Sequence, residues 1–297
     1  NFTHTYNLTG VYLVEIKAVG SSGRFIKKTK EITVQFGETT GPINAEDGYI
    51  TPLSYDGMSL LWQDEFNGSS LDESEWNFEI GNGSSGWGNN ELEYYRRENT
   101  SLADGLLTIE AKKESFQGFD YTSSRFTTQN KFSFKYGRVD IRAVLPQGKG
   151  IWPAFWMLGD DISTKGWPKC GETDIMEMVG GGVGKDDTTY GTLHWDNNGS
   201  YACSCDQNND YTLESGNFSD EFHVFSIIWN ANSIEWFVDD NSFKTIDITD
   251  PGLSEFHEKF FLIFNLAVGG NWPGSPNSTT VFPQQMIVDY VRVFQND

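Results

Sequence analysis

Short strand-like segments separated by turn-rich stretches run through most of the chain. Some alternate apolar and polar residues, and others are almost entirely apolar, as expected of strands buried on both faces. The clearest segments are residues 106–113, 136–145, 222–230, 234–240, 260–268 and 286–294. Helix signals are nearly absent. This series predicts an all-β fold, a two-sheet jelly-roll sandwich whose sheets curve around a groove.

The composition fits this architecture and argues against some partners. Aromatic residues make up 15% of the chain, and Gly is abundant at 31 of 297 residues. The formal net charge of −21 would repel nucleic acid and anionic membrane surfaces. No apolar run is long enough to span a bilayer. The pattern therefore favours a neutral or cationic ligand.

The first 37 residues differ from the rest of the chain. Strand-like stretches on either side of a Gly-Ser-Ser-Gly turn resemble the last strands of a polycystic-kidney-disease-type immunoglobulin-like module. The alternative is a hairpin that docks on the main domain. Residues 38–59 are rich in Gly, Pro, Thr and Ser and are predicted to be a linker. The main domain is then expected to span residues 60–297.

The termini and the cysteines provide less information. The chain begins without Met or a signal-like apolar segment, and we expect it to be a mature or trimmed form. Cys170 stands alone, while Cys203 and Cys205 form a Cys-x-Cys pair in a polar loop. Three cysteines leave one unpaired, and the sequence offers no second cluster for a zinc site.

Three carboxylates interrupt an otherwise apolar strand in the segment ETDIME, Glu172–Glu177. In an extended strand, residues i and i+2 share a face, so Glu172 and Asp174 point the same way. Strict alternation would place Met176, not Glu177, on that face. Glu177 joins the other acids only if a β-bulge at Ile175 or Met176 inserts an extra residue.

Carboxylates gathered in this way predict acid–base chemistry. Like charges so close cannot all ionise easily, so at least one pKa must rise. A protonated carboxyl beside an ionised one is what glycoside hydrolysis requires, and the spacing alone leaves retention or inversion of configuration open. A calcium site and a solvent-facing acidic ladder are the alternatives. Calcium loops, however, interleave acids with Gly and Asn, unlike the Ile and Met found here.

This segment resembles the active-site signature of glycoside hydrolase family 16, in the form that carries an extra residue, Met176. The flanking sequence adds to the resemblance with GWGNNELEYY, GTLHW, FNLAVGGNWPG and VDYVRVF in the expected order. The resemblance spans residues 60–294, the predicted sandwich. The first of these motifs favours a laminarinase, an endo-1,3-β-glucanase, over an agarase or carrageenase.

The resemblance implies roles for residues of this chain. Glu172 would be the nucleophile, Asp174 an assisting carboxylate and Glu177 the acid/base of a retaining double displacement. The residues expected to contact sugar are Trp152, Trp156, His194, Asn89, Arg125, Trp87 and Trp272. Core packing is the alternative for Trp156 and His194.

The resemblance also implies a structural calcium ion away from the groove. Its ligands would be Glu65, Gly105 and Asp289, with backbone oxygens contributing. Asp289, an acid inside an apolar strand, is the only hint that is independent of the resemblance. We expect no organic cofactor.

Together these features predict a secreted, monomeric enzyme that cleaves β-1,3-glucan within the polymer. The alternatives are a mixed-linkage β-1,3-1,4-glucanase, an agarase-type galactan hydrolase and a non-catalytic glucan-binding module. A strongly acidic protein suits an uncharged glucan better than a sulfated galactan. A module that only binds has no need of three adjacent carboxylates.

Overall fold

A computed structural model describes residues 10–19, 25–34, 45–182, 184–205 and 210–297. The chain divides into two compact units, residues 1–43 and 44–297. In the first unit, β1 (Gly10–Val19) and β2 (Phe25–Val34) form an antiparallel hairpin. Assignment to an immunoglobulin-like module stays a prediction, since parts of this unit lie outside the described residues.

The second unit is a sandwich of two antiparallel sheets, which confirms the predicted all-β class. The back sheet consists of β3 (Met58–Asp64), β6 (Thr100–Ala103), β7 (Leu106–Ala111), β10 (Gly137–Val144), β16 (His223–Trp229), β17 (Ser233–Val238), β18 (Asn241–Asp247) and β20 (Gln284–Asn296). Its order is β18-β17-β16-β10-β20-β7-β6, and β3 also pairs with β20.

The groove sheet faces the back sheet across the core. It consists of β4 (Asn77–Phe78), β9 (Arg125–Thr127), β11 (Ile151–Gly159), β12 (Glu172–Glu177), β13 (Thr188–Asn197), β14 (Ser200–Cys203), β15 (Asp210–Thr212) and β19 (Phe260–Val268). Its order is β14-β13-β12-β11-β19-β9-β4, and β15 also pairs with β13. The acidic strand β12 therefore lies inside the sheet, between β11 and β13.

The remaining elements are short. A parallel pair is formed by β5 (Glu93–Tyr95) and β8 (Tyr121–Ser123). The helical segments are a π-type turn (Gly86–Asn90), two 3-10 segments (Arg97–Asn99 and Pro251–His257) and α1 (Ile162–Lys165). Within the described residues, no helix has both the length and the apolar character needed to cross a membrane.

Burial along the strands follows from the two-sheet arrangement. On β17, only alternate residues (Ile234, Trp236 and Val238) are buried, because one face of this strand packs on the core. All nine residues of β19 are buried. One face of β19 joins the main core, while Phe261 and Ile263 on the other face pack in a second, smaller cluster. The nearly continuous apolar run of this strand is thereby explained.

The segment that precedes β3 covers charged residues on the outer face of the back sheet. The side chain of Arg142 on β10 is fully buried and forms an ion pair with Asp289 at 2.6 Å. Its guanidinium also donates to the carbonyl oxygens of Ala45 at 2.7 Å, Asp47 at 2.6 Å and Tyr49 at 2.6 Å. These acceptors compensate a buried charge that would otherwise be costly.

The same segment makes further contacts with the sheet. The Tyr55 hydroxyl donates to Asp140 at 2.6 Å, and Asp140 in turn pairs with Arg138 at 2.7 Å. The Thr51 backbone N–H donates to the Tyr290 hydroxyl at 3.0 Å. Residues 45–59 are therefore part of the sandwich unit and not a free linker, so the unit begins before the predicted boundary at residue 60. Residues 38–44 of the predicted linker lie outside the described residues.

We expect a chain that begins at residue 60 to be markedly less stable than one that begins at residue 44. The shorter chain loses the three carbonyl acceptors of Arg142 and the bonds that Tyr55 and Thr51 make with the sheet, which should lower the free energy of unfolding by about 3 kcal/mol or more. Urea unfolding of the two chains measures the difference. Equal midpoints and slopes would show that the segment contributes no stability.

Candidate active site

The predicted bulge is present in β12. Asp174 pairs with Thr192 and Glu177 with Tyr190, so three steps along β12 match two steps along β13. On the other side, Trp156 and Phe155 of β11 pair with Asp174 and Met176, which leaves Ile175 as the extra residue. Ile175 and Met176 are both buried in the main core. Glu172, Asp174 and Glu177 consequently all line the groove.

Each carboxylate has its own neighbours. Trp167 Nε1 donates to Glu172 Oε2 at 2.8 Å, and Trp152 Nε1 donates to Glu177 Oε1 at 3.0 Å. His194 Nε2 lies 3.0 Å from Asp174 Oδ2 and 3.7 Å from Glu172 Oε1. Asp174 Oδ2 is buried and, within the described part of the chain, has no aligned hydrogen-bond partner.

Burial raises the pKa of Glu172, of Asp174 and of Glu177 to about 8 in each case. Repulsion from Asp174 adds to the rise at the two glutamates, while His194 lowers both of their pKa values. Lys244 lowers the pKa of Asp174. Near neutral pH, the site therefore favours a state in which protons are retained on part of the cluster.

The acidic strand is supported from the back sheet. Trp236 Nε1 on β17 donates to the Asp174 carbonyl oxygen at 2.7 Å. The Trp236 ring lies so close to Gly191 on β13 that a Cβ at this position would be 2.4 Å from Cδ1. Lys244 on β18 is buried and donates to the Gly191 carbonyl oxygen at 2.8 Å. Residues from β17 and β18 thus fix the backbone beneath the carboxylates.

Aromatic residues line the Glu177 side of the groove. The indole of Trp152 meets the Trp272 ring edge-to-face with centroids 5.7 Å apart, and Trp272 meets Tyr190 at 5.1 Å. Trp272 remains 44% exposed. Exposed ring faces of this kind suit the apolar C–H faces of a sugar.

A second group of predicted residues surrounds Arg125. Its guanidinium lies over the rings of Trp87 and Trp156, 4.3 Å and 4.9 Å from their centroids, and forms an ion pair with Glu79. Trp156 Nε1 donates to Asn265 Oδ1 at 2.7 Å. Trp156 lines the groove and also packs against the smaller core cluster, and its contact with sugar stays a prediction.

The turn before β5 forms a further wall of the groove. Trp87 adopts a positive φ of 54° there, a conformation that is uncommon outside Gly. Asn89 Nδ2 donates to Glu91 Oε1 at 3.1 Å, and the Tyr95 hydroxyl donates to Glu91 Oε2 at 2.9 Å. These bonds hold the predicted sugar-binding residue Asn89 in place.

The groove, about 730 Å³ in volume, brings together the three predicted catalytic residues and all seven predicted sugar-binding residues. Their roles in catalysis and binding stay predictions. Trp167, Tyr190, Tyr201 and Glu91 also line the groove and were not predicted. For the three aromatic residues, the aromatic content of the surrounding motifs was the only sequence signal.

The pairing register of the back sheet places the three predicted calcium ligands near one another. Both β3 and β7 pair with β20: Asp64 is opposite Val291 and Leu107 is opposite Val288. Asp289 therefore lies between the part of β20 that pairs with β3 and the part that pairs with β7. Glu65 directly follows β3 and Gly105 directly precedes β7, so both are close to Asp289 in the pairing register.

The carboxylates of Glu65 and Asp289 already accept hydrogen bonds from arginine side chains. Both carboxylate oxygens of Glu65 accept from Arg292, at 2.7 Å and 2.8 Å. One Asp289 oxygen accepts from Arg142 at 2.6 Å. A cation would therefore depend on backbone oxygens and on the other Asp289 oxygen, a donor set that is compatible with calcium. In the groove, ligand atoms of Glu172, Asp174 and His194 also lie within 4.8 Å of one another.

Comparison with known proteins agrees with this geometry. The sequence model of glycosyl hydrolases family 16 matches residues 87–292. The laminarinase catalytic domain from Thermotoga maritima MSB8 is 47% identical, with a TM-score of 0.73, and the match covers 81% of this chain and 99% of that one. A beta-glucanase of Rhodothermus marinus is 41% identical over 250 residues, 80% of this chain and 85% of that protein.

A third relative is much longer than the matched region. The clotting factor G alpha subunit of Tachypleus tridentatus is 42% identical over 241 residues, which are 80% of this chain and 34% of the subunit. The chain thus spans about a third of the length of that relative. The architecture and these matches show that the chain belongs to glycosyl hydrolase family 16, and they confirm the predicted jelly-roll fold.

We expect Asp174→Asn to reduce the pH dependence of stability. Since the folded-state pKa of Asp174 is raised above its unfolded value, the folded protein holds a proton that the unfolded chain releases between about pH 4 and pH 8. The wild-type free energy of unfolding should therefore fall as pH rises through this window. Near pH 8, Asp174→Asn should be more stable than the wild type by on the order of 5 kcal/mol.

Urea unfolding at pH 5 and pH 8 tests this expectation. Asp72→Asn serves as the control, because hydrogen bonds from Ser74 lower the pKa of the exposed Asp72, so any contribution from this group is lost as pH falls. Parallel pH profiles for the wild type and Asp174→Asn would show that the buried carboxyl is not protonated in the folded state.

Proposed function

We propose that this chain is an endo-1,3-β-glucanase that hydrolyses laminarin-like polysaccharides with retention of configuration. The observation that carries the proposal is the bulged strand β12, which directs three carboxylates into an aromatic-lined groove. The similarity to a laminarinase supports the linkage. A groove lined by rings on both sides of the carboxylates suits internal cleavage of a polymer.

The reaction would proceed in two displacements. The Glu172 carboxylate attacks the anomeric carbon while Glu177 donates its proton to the departing glycosidic oxygen. Glu177, now ionised, then removes a proton from water. The water oxygen attacks the anomeric carbon of the glycosyl–enzyme intermediate, and the bond to Glu172 breaks and frees its carboxylate. The indole N–H groups of Trp167 and Trp152 orient these two side chains.

The electrostatics of the cluster suit this division of work. Asp174 lies between the two glutamates on the same face, and its charge opposes simultaneous ionisation of both. When Asp174 is the ionised member of the cluster, its repulsion raises the pKa of Glu177 and helps to retain a proton for the acid/base step. His194 offsets this repulsion at Glu172, where the nucleophile must be ionised. The proton therefore moves within one coupled cluster as the reaction proceeds.

An uncharged glucan fits the groove better than a sulfated galactan. Among the described residues that line the groove, Arg125 is the only one with a permanently cationic side chain, and it is already paired with Glu79. A sulfated polymer would also be repelled by the net charge of −21. Mixed-linkage glucan shares the neutral rings and stays an alternative substrate.

We further propose that the protein acts outside the cell as a monomer. A disulfide joins Cys203 and Cys205, and such bonds persist in oxidising compartments. A polymeric substrate agrees with this location. We also propose a structural calcium ion at Glu65, Gly105 and Asp289.

Release of reducing ends from laminarin, mixed-linkage glucan and agarose tests the proposed activity. We expect laminarin to be cleaved fastest, and Glu172→Ser to lower the laminarin rate on the order of a thousandfold or more because the nucleophile is lost. Glu235→Ser, an equivalent truncation on β17 of the back sheet, serves as the control and should keep the wild-type rate.

Each other outcome has a definite meaning. Laminarin that is bound but never cleaved would establish the non-catalytic module instead. Cleavage of agarose alone would retain the family and reject the glucan. Full laminarin activity in Glu172→Ser would reject the assignment of the nucleophile.

The calcium proposal predicts a ligand-dependent melting temperature. Addition of Ca²⁺ at about a hundredfold excess over its Kd, after treatment with EDTA, should raise Tm by roughly 5–10 °C, because binding at that excess stabilises the folded state by about 2.7 kcal/mol. Asp289→Asn should reduce this increment. Equal Tm values with EDTA and with Ca²⁺, or the same increment with Mg²⁺, would argue against a specific calcium site.

A further inference from the structure

A short hairpin borders the groove next to Glu172, and the proposed mechanism does not yet use it. β14 pairs with the end of β13, so that Cys203 lies opposite His194. Directly opposite residues share a face of a sheet, and so do residues two apart in a strand. Tyr201 and Cys203 are therefore on the same side of the hairpin as His194.

The end of this hairpin is fastened to the sandwich. The Cys203–Cys205 disulfide closes the turn that follows β14. Ser204, between the two cysteines, is buried, and its hydroxyl accepts from the Leu193 backbone N–H at 2.9 Å. Lys244 Nζ donates to the Ser204 hydroxyl at 3.0 Å and to its carbonyl oxygen at 3.2 Å. The position of β14 is thus set by covalent and buried polar contacts.

Tyr201 connects this hairpin to two side chains that contact the carboxylates. Its hydroxyl lies 2.8 Å from His194 Nδ1, and the two rings are stacked with centroids 5.8 Å apart. Its other side meets the Trp167 ring at 5.3 Å. Trp167 in turn donates to Glu172. The Tyr201 ring is nevertheless 52% exposed, so its fixed position depends on these contacts and on the hairpin.

We propose that Tyr201 is a positioning residue for the hydrolysis, whose hydroxyl donates to His194 Nδ1 and thereby holds the imidazole proton on Nε2, facing Asp174 and Glu172. This inference rests on the proposed function of the groove. A neutral imidazole has one N–H and one acceptor nitrogen, and a donor at one nitrogen places the proton on the other. Burial and then the nearby carboxylates raise the pKa of Tyr201, which keeps the phenol protonated.

The choice of tautomer matters because of what Nε2 faces. It lies 3.0 Å from Asp174 Oδ2, a buried oxygen that has no aligned hydrogen-bond partner within the described residues. With the proton on Nε2, the ring presents an N–H to the negative charge shared by Asp174 and Glu172. With the proton on Nδ1, the Nε2 lone pair would face the same carboxylates and oppose their ionisation. The hydroxyl of Tyr201 therefore favours the ionised nucleophile.

Tyr201→Phe removes the hydroxyl and keeps the ring stacking. We expect kcat on laminarin to fall about tenfold, the effect of losing one hydrogen bond that supports the reacting state, with KM and Tm unchanged. Tyr211→Phe is the matched control, because Tyr211 lies on β15 with its ring against Phe243, and it should retain wild-type kinetics.

A second measurement does not depend on activity. The ¹⁵N chemical shifts of the imidazole nitrogens report the tautomer, and with 4 His in the chain the His194 signals can be assigned by their loss in His194→Ala. We expect the Nε2–H form in the wild type and in Tyr211→Phe, and a mixture of tautomers in Tyr201→Phe.

The two measurements separate the possible failures. An unchanged tautomer in Tyr201→Phe overturns the positioning role. A raised KM with wild-type kcat also overturns it and would make Tyr201 a direct sugar contact. If the parent chain cleaves no glucan, the proposed function fails, while the ¹⁵N shifts still decide whether Tyr201 fixes the His194 tautomer.

Discussion

One extra residue in β12 determines what the groove can do. Without the irregular step at Ile175, Glu177 would turn toward the core, where an unpaired carboxylate is costly. With it, Ile175 and Met176 fill the core and all three acids face the groove. A requirement of packing and a requirement of chemistry are thus met by the same irregularity, and bulges beside active sites commonly re-aim side chains in this way.

The raised pKa values of these acids depend on the layers around the strand as much as on the strand itself. Burial is the largest cause for each of the three. The strand is contacted by Trp167 and Trp152 at the groove surface and by Trp236 from the back sheet, while Lys244 of the back sheet lowers the pKa of Asp174. The charge that the mechanism needs is therefore controlled in part by residues of the back sheet, which do not line the groove.

Much of the site could be predicted because its signals are local in sequence. Period-two alternation, and its failure at Glu177, indicated the bulge, and the motif resemblance supplied the groove residues. Tyr201 and Lys244 could not be found in this way. Tyr201 acts through the register of a hairpin, and Lys244 reaches Gly191, on the strand next to the acidic strand, from the other sheet, so no spacing within one segment reveals either contact.

The boundary of the sandwich was missed for a related reason. Residues 45–59 have the composition of a linker, and much of their contribution is made by backbone carbonyl oxygens, which every residue type possesses. Their binding partner, Arg142, lies almost a hundred residues away. Amino-acid composition reflects the side chains of the segment, and it therefore cannot predict the hydrogen bonds that its main chain accepts.

The contacts of Trp236 with the acidic strand and of Lys244 with the neighbouring strand β13 have a consequence for how the site arises. Because the groove sheet is fixed from behind by residues of the back sheet, the carboxylates acquire their environment only when both sheets have closed on one another. Catalytic competence is thus a property of the complete sandwich, and a half-assembled sheet would display the same acids as ordinary, fully ionised surface groups. Grafting the acidic strand alone into another β-sheet would transfer its amino-acid sequence but not the pKa values on which its reactivity depends.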